Sequence, residues 1–110
     1  MKYNGTEEER ICIGIKGEIF DVTRGSNFYG PGGPYHAFAG RDASRAFANF
    51  STESAMFKET DDDLSDLTLQ EQSQLNDWYD NLSAKYDKVG NIIKEVMPII
   101  QLYYIIYILP

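Results

Sequence analysis

The sequence predicts an α+β domain, and three local patterns indicate this fold class. Isoleucines alternate with smaller residues across residues 11–15, which is the period-two pattern of a half-buried strand. Lys16-Gly17 then predicts a tight turn, and residues 18–22 a returning strand with Ile19 or Phe20 facing inward. Further along, Thr68-Leu69-Gln70-Glu71 has the form of a capping box at the start of a helix. A hairpin followed by helices is typical of a small α+β domain.

Length and charge limit the kinds of function that fit this chain. Its 110 residues suit one domain with a modest core. The net charge of -7 disfavours nucleic-acid binding, which needs a basic surface, and it disfavours unaided adsorption to anionic lipid. Cys12 is the single cysteine, so no intrachain disulfide can form, and its isoleucine neighbours predict a buried position. No apolar run follows Met1, so no secretory signal is expected.

Two helices are predicted after the hairpin. Asp42 is expected to be the N-cap of the first helix, because its carboxylate can accept backbone N–H bonds there. One apolar face is expected on each helix: Ala43, Ala46, Phe47 and Phe50 on the first, and Leu69, Leu75, Trp78, Tyr79 and Leu82 on the second. The second helix is expected to run to about residue 84 and to pack on the sheet. The acidic residues 59–63 between the helices are expected to be solvated.

The C-terminal residues 98–110 are apolar and rich in β-branched and aromatic side chains. They are too few for a membrane-spanning helix, which takes about 20 apolar residues, and their composition favours a strand. Three interpretations stay open: an extra edge strand, a partial interfacial anchor, or an atypical tail. We therefore assign residues 1–92 to one domain and residues 93–110 to a tail of open role.

The most unusual stretch is Phe28-Tyr29-Gly30-Pro31-Gly32-Gly33-Pro34-Tyr35. Glycine allows a close backbone approach or a positive φ, and proline fixes φ, so the loop is expected to be stiff. It presents two phenols, Tyr29 and Tyr35. Rigid loops that hold a few polar groups among aromatic rings are more often walls of a binding site than plain connections.

This stretch, together with Phe38-Ala39-Gly40-Arg41-Asp42-Ala43-Ser44-Arg45, resembles the signature of the membrane-associated progesterone receptor family. Members of that family are cytochrome b5-like haem/steroid-binding domains. The resemblance extends from Tyr3 to about Gly90. It implies a small mixed sheet with helices flanking a ligand pocket, and it implies that Lys2-Tyr3-Asn4-Gly5 is the end of a helix.

The resemblance also implies a non-enzymatic module that binds haem b. It places the axial ligand at Tyr35, and hydrogen-bonding partners of the haem at Tyr29, Lys85 and Tyr86. Phe38, Phe47 and Phe50 are candidates for lining the pocket. Chemistry supports a phenol as ligand, because a nearby cation favours its anion, and the result would be a five-coordinate ferric site.

His36 is the single histidine, so one chain cannot supply the two imidazoles that hold the iron in ordinary cytochrome b5. A lone histidine is more often at the surface or hydrogen-bonded than a ligand. An enzyme is not expected, since no nucleophile set is visible and residues 30–33 lack the Lys and Ser/Thr of a phosphate-binding loop.

The partners implied by the resemblance are haem, a sterol or steroid, haem-thiolate monooxygenases of sterol metabolism, and a second copy of the chain. The implied location is the cytoplasmic face of the endoplasmic reticulum or the cytoplasm. Two alternatives stay open. The domain would bind a steroid or lipid, or act as an adaptor, without haem; or it would transfer electrons with a second histidine supplied by a partner.

Overall fold

The computed structural model describes residues 3–6, 8–53, 56, 64–97 and 101–106, and for 93–97 and 101–106 it describes the backbone alone. Over these residues the chain forms one antiparallel sheet in the order β1-β2-β3-β4, with helices beside it. The strands are β1 (Cys12–Ile15), β2 (Glu18–Asp21), β3 (Asp87–Met97) and β4 (Gln101–Ile106); the helices are α1 (Ser26–Tyr29), α2 (Ser44–Asn49) and α3 (Leu69–Lys85). The predicted α+β class is therefore confirmed. A parallel component is present as an isolated bridge between Gly14 and Asp42.

Strands β1 and β2 form the predicted hairpin. Lys16 has a φ of 51° and Gly17 a φ of 79°, and a tight two-residue hairpin turn needs positive φ at both positions. Ile19 and Phe20 are both buried, although neighbouring strand residues normally point to opposite faces. Both faces of β2 are covered: Phe20 pairs with Ile13 and both belong to the main core cluster, whereas Ile19 pairs with Gly14 and lies outside that cluster.

The start of α2 differs by one residue from the prediction that Asp42 is its N-cap. The helix begins at Ser44, so Ala43 occupies the cap position and makes no side-chain capping bond. The Asp42 carboxylate instead accepts from the backbone N–H of Ser44 at 3.0 Å and from its hydroxyl at 2.8 Å. The Ser44 hydroxyl also accepts from the backbone N–H of Lys16 at 2.9 Å, which ties the helix to the hairpin turn.

The buried face of α2 is shorter than the spacing predicts. Ala43, Ala46 and Phe47 are buried, but the ring of Phe50 is 54% exposed, so its predicted place on this face is wrong. The helix ends at Asn49, and Phe50 follows it with a left-handed φ of 46°. This backbone turn directs the ring out of the helical stripe and towards solvent.

The capping box at the start of α3 is confirmed. The Thr68 hydroxyl accepts from the backbone N–H of Glu71 at 3.1 Å, and the Glu71 carboxylate accepts from the backbone N–H of Thr68 at 2.9 Å. Leu75 and Leu82 are buried, whereas Leu69 is 83% exposed and its predicted inward position is wrong. At about 100° per residue, Leu69 lies about 120° around the helix from Leu75.

Helix α3 packs on the hairpin, as predicted, and it also packs on α2. The rings of Phe47 and Trp78 have centroids 4.7 Å apart. Tyr79 meets Phe20 edge-on at 5.8 Å, and its hydroxyl donates to the Glu18 carboxylate at 2.8 Å. The helix therefore fixes the positions of the aromatic residues on both sides of it.

The described N-terminal residues do not end a helix, so that expectation is wrong for them. Asn4 forms an antiparallel bridge with Ile11, and the backbone N–H of Cys12 donates to the Tyr3 carbonyl at 2.8 Å. Gly5 has a φ of 85°, which lies outside helical geometry. Beside this bridge Cys12 is 1% exposed, which confirms its predicted place in the core.

The C-terminal segment contributes to the sheet. Strand β3 continues across the boundary predicted at residue 92, and β4 pairs with it along its whole length as an edge strand. This matches one of the three interpretations of the tail, while the division into two parts stays a prediction. The acidic residues 59–63 and the last residues, 107–110, lie outside the described part of the chain.

Candidate functional site

The glycine- and proline-rich loop folds back on itself between Phe28 and Tyr35. The backbone N–H of Tyr35 donates to the Phe28 carbonyl at 2.8 Å. A Cβ at Gly33 would lie 2.4 Å from that same carbonyl oxygen, and Gly32 has a φ of 82°, so both positions need glycine. This hydrogen bond closes the loop and brings Tyr35 beside α1.

Tyr35 lies at the centre of an aromatic cluster. Its ring is partly exposed and contacts five others, at centroid distances of 6.4 Å for Phe28, 6.1 Å for Tyr29, 5.7 Å for Phe38, 6.2 Å for Phe50 and 6.2 Å for Trp78. The rings of Phe28 and Phe38 stack with it, at 21° and 18° between planes. These contacts form an apolar wall from which one phenol is accessible.

Tyr29 lies beside Tyr35, and Tyr86 lies beside Tyr29; both were predicted from the sequence as site residues. Tyr29 is 6% exposed, and its ring centroid is 6.4 Å from that of Tyr86 in an edge-on contact. Burial, followed by the neighbouring phenols Tyr86 and Tyr35, raises the pKa of Tyr29 to about 12. Ionisation of the Tyr29 phenol is therefore less favourable than that of a free tyrosine.

The edge of the site next to Tyr86 carries positive charge. Lys85, the last residue of α3, is exposed. Its carbonyl accepts a short hydrogen bond from the Arg24 guanidinium, which lies 5.7 Å from the centroid of the Tyr86 ring. Sequence reasoning missed Arg24, because no periodicity or motif signals a contact with a residue 61 positions further along the chain.

The three predicted pocket phenylalanines occupy different environments. Phe38 is 1% and Phe47 0% exposed, and their centroids are 4.6 Å apart, so both support the wall from behind. Phe50 instead stacks on Trp78 at 5.9 Å with 18° between the ring planes. These two rings line a shallow groove of about 290 Å³ together with Gln74, Asp77 and Asn81. Trp78 was predicted only as a packing residue of α3.

The hydrogen bond formed by His36 does not involve the three phenols. Its Nε2 is 2.9 Å from the carbonyl oxygen of Asn4, to which it donates when that nitrogen carries the proton. Among the described residues, no group of three or more His, Cys, Asp or Glu side chains is placed to hold a metal ion. The phenols of Tyr29 and Tyr35 place side-chain oxygens within the aromatic cluster.

The side chains of this site determine the kind of ligand that it can bind. A partly exposed phenol on an aromatic wall can bind a flat apolar ligand and can offer an oxygen to a hard metal ion such as ferric iron. Lys85 at one edge can form a charge-assisted hydrogen bond with a carboxylate of that ligand. The residues therefore fit a haem by their donor chemistry.

Fold and site together define a cytochrome b5-like ligand-binding domain. The family model described as "Cytochrome b5-like Heme/Steroid binding domain" matches residues 1–98. A protein from Arabidopsis thaliana described as having a cytochrome b5-like fold has a TM-score of 0.71 and 46% identity, covering 82% of this chain and 81% of that chain. The predicted cytochrome b5-like fold is thus confirmed.

Two relatives identify the family within the cytochrome b5-like domains. "Membrane-associated progesterone receptor component 2" of Homo sapiens is 44% identical over 93 residues, which cover 84% of this chain and 42% of that protein. "Cytochrome P450 regulator dap1" of Schizosaccharomyces pombe is 45% identical over 96 residues, which cover 84% of this chain and 58% of that protein. The chain belongs to the membrane-associated progesterone receptor family, as its signature predicts. It spans only about half the length of these relatives.

The names of these relatives describe membrane association, binding and regulation. In the described part of this chain, we find no helix with the length and apolar character needed to cross a bilayer.

Proposed function

We propose that this domain binds haem b in a five-coordinate ferric site with Tyr35 as the axial ligand, and that it catalyses no reaction of its own. The partly exposed Tyr35 phenol among five aromatic rings carries the proposal. When bound, haem supplies a ferric centre that favours the anionic form of a phenol ligand.

The neighbouring residues have distinct roles in this proposal. Burial raises the pKa of Tyr29 to about 12, so in this proposal Tyr29 acts as a hydrogen-bond donor and Tyr35 as the iron ligand. Lys85 and Tyr86 donate to carboxylates at the ligand's edge. The stacked rings of Phe28 and Phe38 keep water from one side of Tyr35.

The cellular role that we propose is support of sterol metabolism through haem-thiolate monooxygenases at the cytoplasmic face of the endoplasmic reticulum. One relative is named a cytochrome P450 regulator, which supports this role. The net charge of -7 suits a partner with a basic surface. We also expect a homodimer, which sedimentation measurements with and without hemin test.

A hemin titration of the purified protein tests the ligand assignment. We expect a phenolate-type ferric absorption spectrum that is lost in Tyr35→Phe, because that change removes the oxygen and keeps the ring. Tyr79→Phe is the matched control, since the Tyr79 hydroxyl donates to Glu18 on the hairpin and lies outside the phenol cluster. An unchanged spectrum in Tyr35→Phe refutes the assignment.

A second candidate function is steroid or lipid binding without haem. The groove between Phe50 and Trp78 favours it, because 290 Å³ lies just under the range of about 300–1,000 Å³ typical of small-molecule sites. Trp78 is the single tryptophan, so its fluorescence reports occupancy of the groove directly. Titration of haem-free protein with a panel of sterols should give a saturable change that Phe50→Ser weakens. A lack of saturable binding removes this candidate.

A further inference from the structure

The turn formed by Thr23–Gly25 lies directly against Tyr86. Tyr86 follows α3 with an extended backbone, at a φ of -128° and a ψ of 158°. Its backbone N–H donates to the Leu82 carbonyl at 2.8 Å, which fixes the main chain but not the ring. The position of the ring therefore depends on the side chains and backbone around it.

Arg24 contacts Tyr86 from one side and holds the chain next to it. Its guanidinium donates to the Lys85 carbonyl and lies 5.7 Å from the Tyr86 ring centroid, within the range of a cation–π contact. One side chain thus joins the turn after β2 to the junction between α3 and β3. This contact orients both Lys85 and Tyr86.

Gly25 contacts Tyr86 from another direction. A Cβ at this position would lie 2.5 Å from the Tyr86 hydroxyl oxygen and 3.2 Å from Cδ2 of Tyr29. Gly25 has a φ of -97° and a ψ of 31°, a conformation open to residues other than glycine. The need for glycine here is therefore steric, and it comes from the close approach of Tyr86.

We propose that Arg24 and Gly25 are positioning residues that hold the Tyr86 ring edge-on against Tyr29. The guanidinium of Arg24 attracts the Tyr86 ring, and the absence of a side chain at Gly25 leaves room for the Tyr86 hydroxyl. Positioning of Tyr86 also contributes to the burial of Tyr29, which is 6% exposed. The consequence for ligand binding rests on the proposed function, but the placement of Tyr86 does not.

The first test uses haem-free protein with ¹³C-labelled tyrosine, so it is independent of haem binding. Nuclear Overhauser contacts between the rings of Tyr29 and Tyr86 should be present in the wild type and lost in Gly25→Ala. They should weaken in Arg24→Ala and be restored in part by Arg24→Lys. The control is Arg10→Ala, because Arg10 pairs with Asp21 at 3.3 Å on the hairpin. Contacts that persist in both Gly25→Ala and Arg24→Ala overturn the proposal.

The second test is a double-mutant cycle on hemin affinity. Gly25→Ala and Arg24→Ala should each weaken binding by about 3- to 10-fold, the effect of losing one contact of this kind. In a Tyr86→Ala background neither change should weaken it further, because the ring that they position is absent.

The cycle distinguishes the two proposals. Fully additive effects of Arg24→Ala and Tyr86→Ala mean that Arg24 contacts the ligand directly, and they overturn the positioning role. If the wild-type protein binds no hemin, the proposed function fails, while the ring contacts in the haem-free protein still decide the role of Arg24 and Gly25.

Discussion

Phe47 and Phe50 lie three residues apart and were both candidates for lining the pocket, yet the structure gives them opposite environments. Phe47 is 0% exposed and packs between Phe38 at 4.6 Å and Trp78 at 4.7 Å. Phe50 is 54% exposed and stacks on the outer side of Trp78 at 5.9 Å. We predict that Phe47→Ala changes stability, and that Phe50→Ala changes ligand binding at the groove.

The expected losses of stability follow from how deeply each ring is buried. Removing a fully buried phenylalanine ring costs about 3–5 kcal/mol, because the cavity it leaves closes only in part. Full burial of such a ring contributes about 1.5–3 kcal/mol, so the half-buried Phe50 should contribute only about 1 kcal/mol. Alanine at residue 50 retains the left-handed backbone conformation of a residue with a Cβ, so backbone strain changes little in this comparison.

Urea unfolding followed by circular dichroism measures both effects. At an m-value of about 1.5 kcal/mol/M, Phe47→Ala should lower the midpoint by about 2–3 M and Phe50→Ala by less than about 1 M. Emission from Trp78 provides a second probe, and coincident transitions support two-state analysis. Equal losses of stability in the two variants would refute the assignment of Phe47 to the core and Phe50 to the groove.

Three further predictions rest on single groups. Thr68→Ala should lower the free energy of unfolding by about 1 kcal/mol, measured by urea titration, because it removes one half of the capping box; an unchanged midpoint contradicts this. Cys12 should not react with a thiol reagent until the protein unfolds, because it is 1% exposed and burial raises its pKa to about 12; rapid labelling in native buffer contradicts this. Folding raises the pKa of Tyr29 from 10.0 to about 12, so its stabilising effect is complete below pH 10 and is lost as the pH rises towards 12. Alkaline unfolding should therefore begin at a higher pH in Tyr29→Phe, and an unchanged or lower onset contradicts this.

The elements that the sequence predicts well are those determined by neighbouring residues. The hairpin turn at Lys16-Gly17 needs two left-handed residues, and the capping box needs only Thr68 and Glu71 at the right spacing. Both depend on interactions within a few positions along the chain. The closed loop that presents Tyr35 is local in the same sense, since its hydrogen bond to Phe28 spans seven residues.

Features that depend on distant contacts or on one backbone angle could not be predicted in this way. The spacing of α2 places Phe50 on its buried face, but a single left-handed residue after Asn49 turns the ring outward. The contacts of Arg24 and Gly25 with Tyr86 join segments about 60 residues apart, and no local pattern signals them. The sequence therefore indicates phenols that the structure brings together, but not what holds them there.

The charge distribution of the chain bears on how an anionic ligand would be oriented. With a net charge of -7, the protein as a whole repels carboxylates. Arg24 and Lys85 lie together at the edge beside Tyr86, where the guanidinium contacts the ring and the lysine carbonyl. Asp87 directly follows Tyr86, so a carboxylate adjoins this edge as well, and the Lys85 ammonium can attract an acidic group only through a direct, charge-assisted hydrogen bond. A flat ligand with an apolar body and acidic substituents should therefore bind with its acidic end at this edge and its body against the rings around Tyr35.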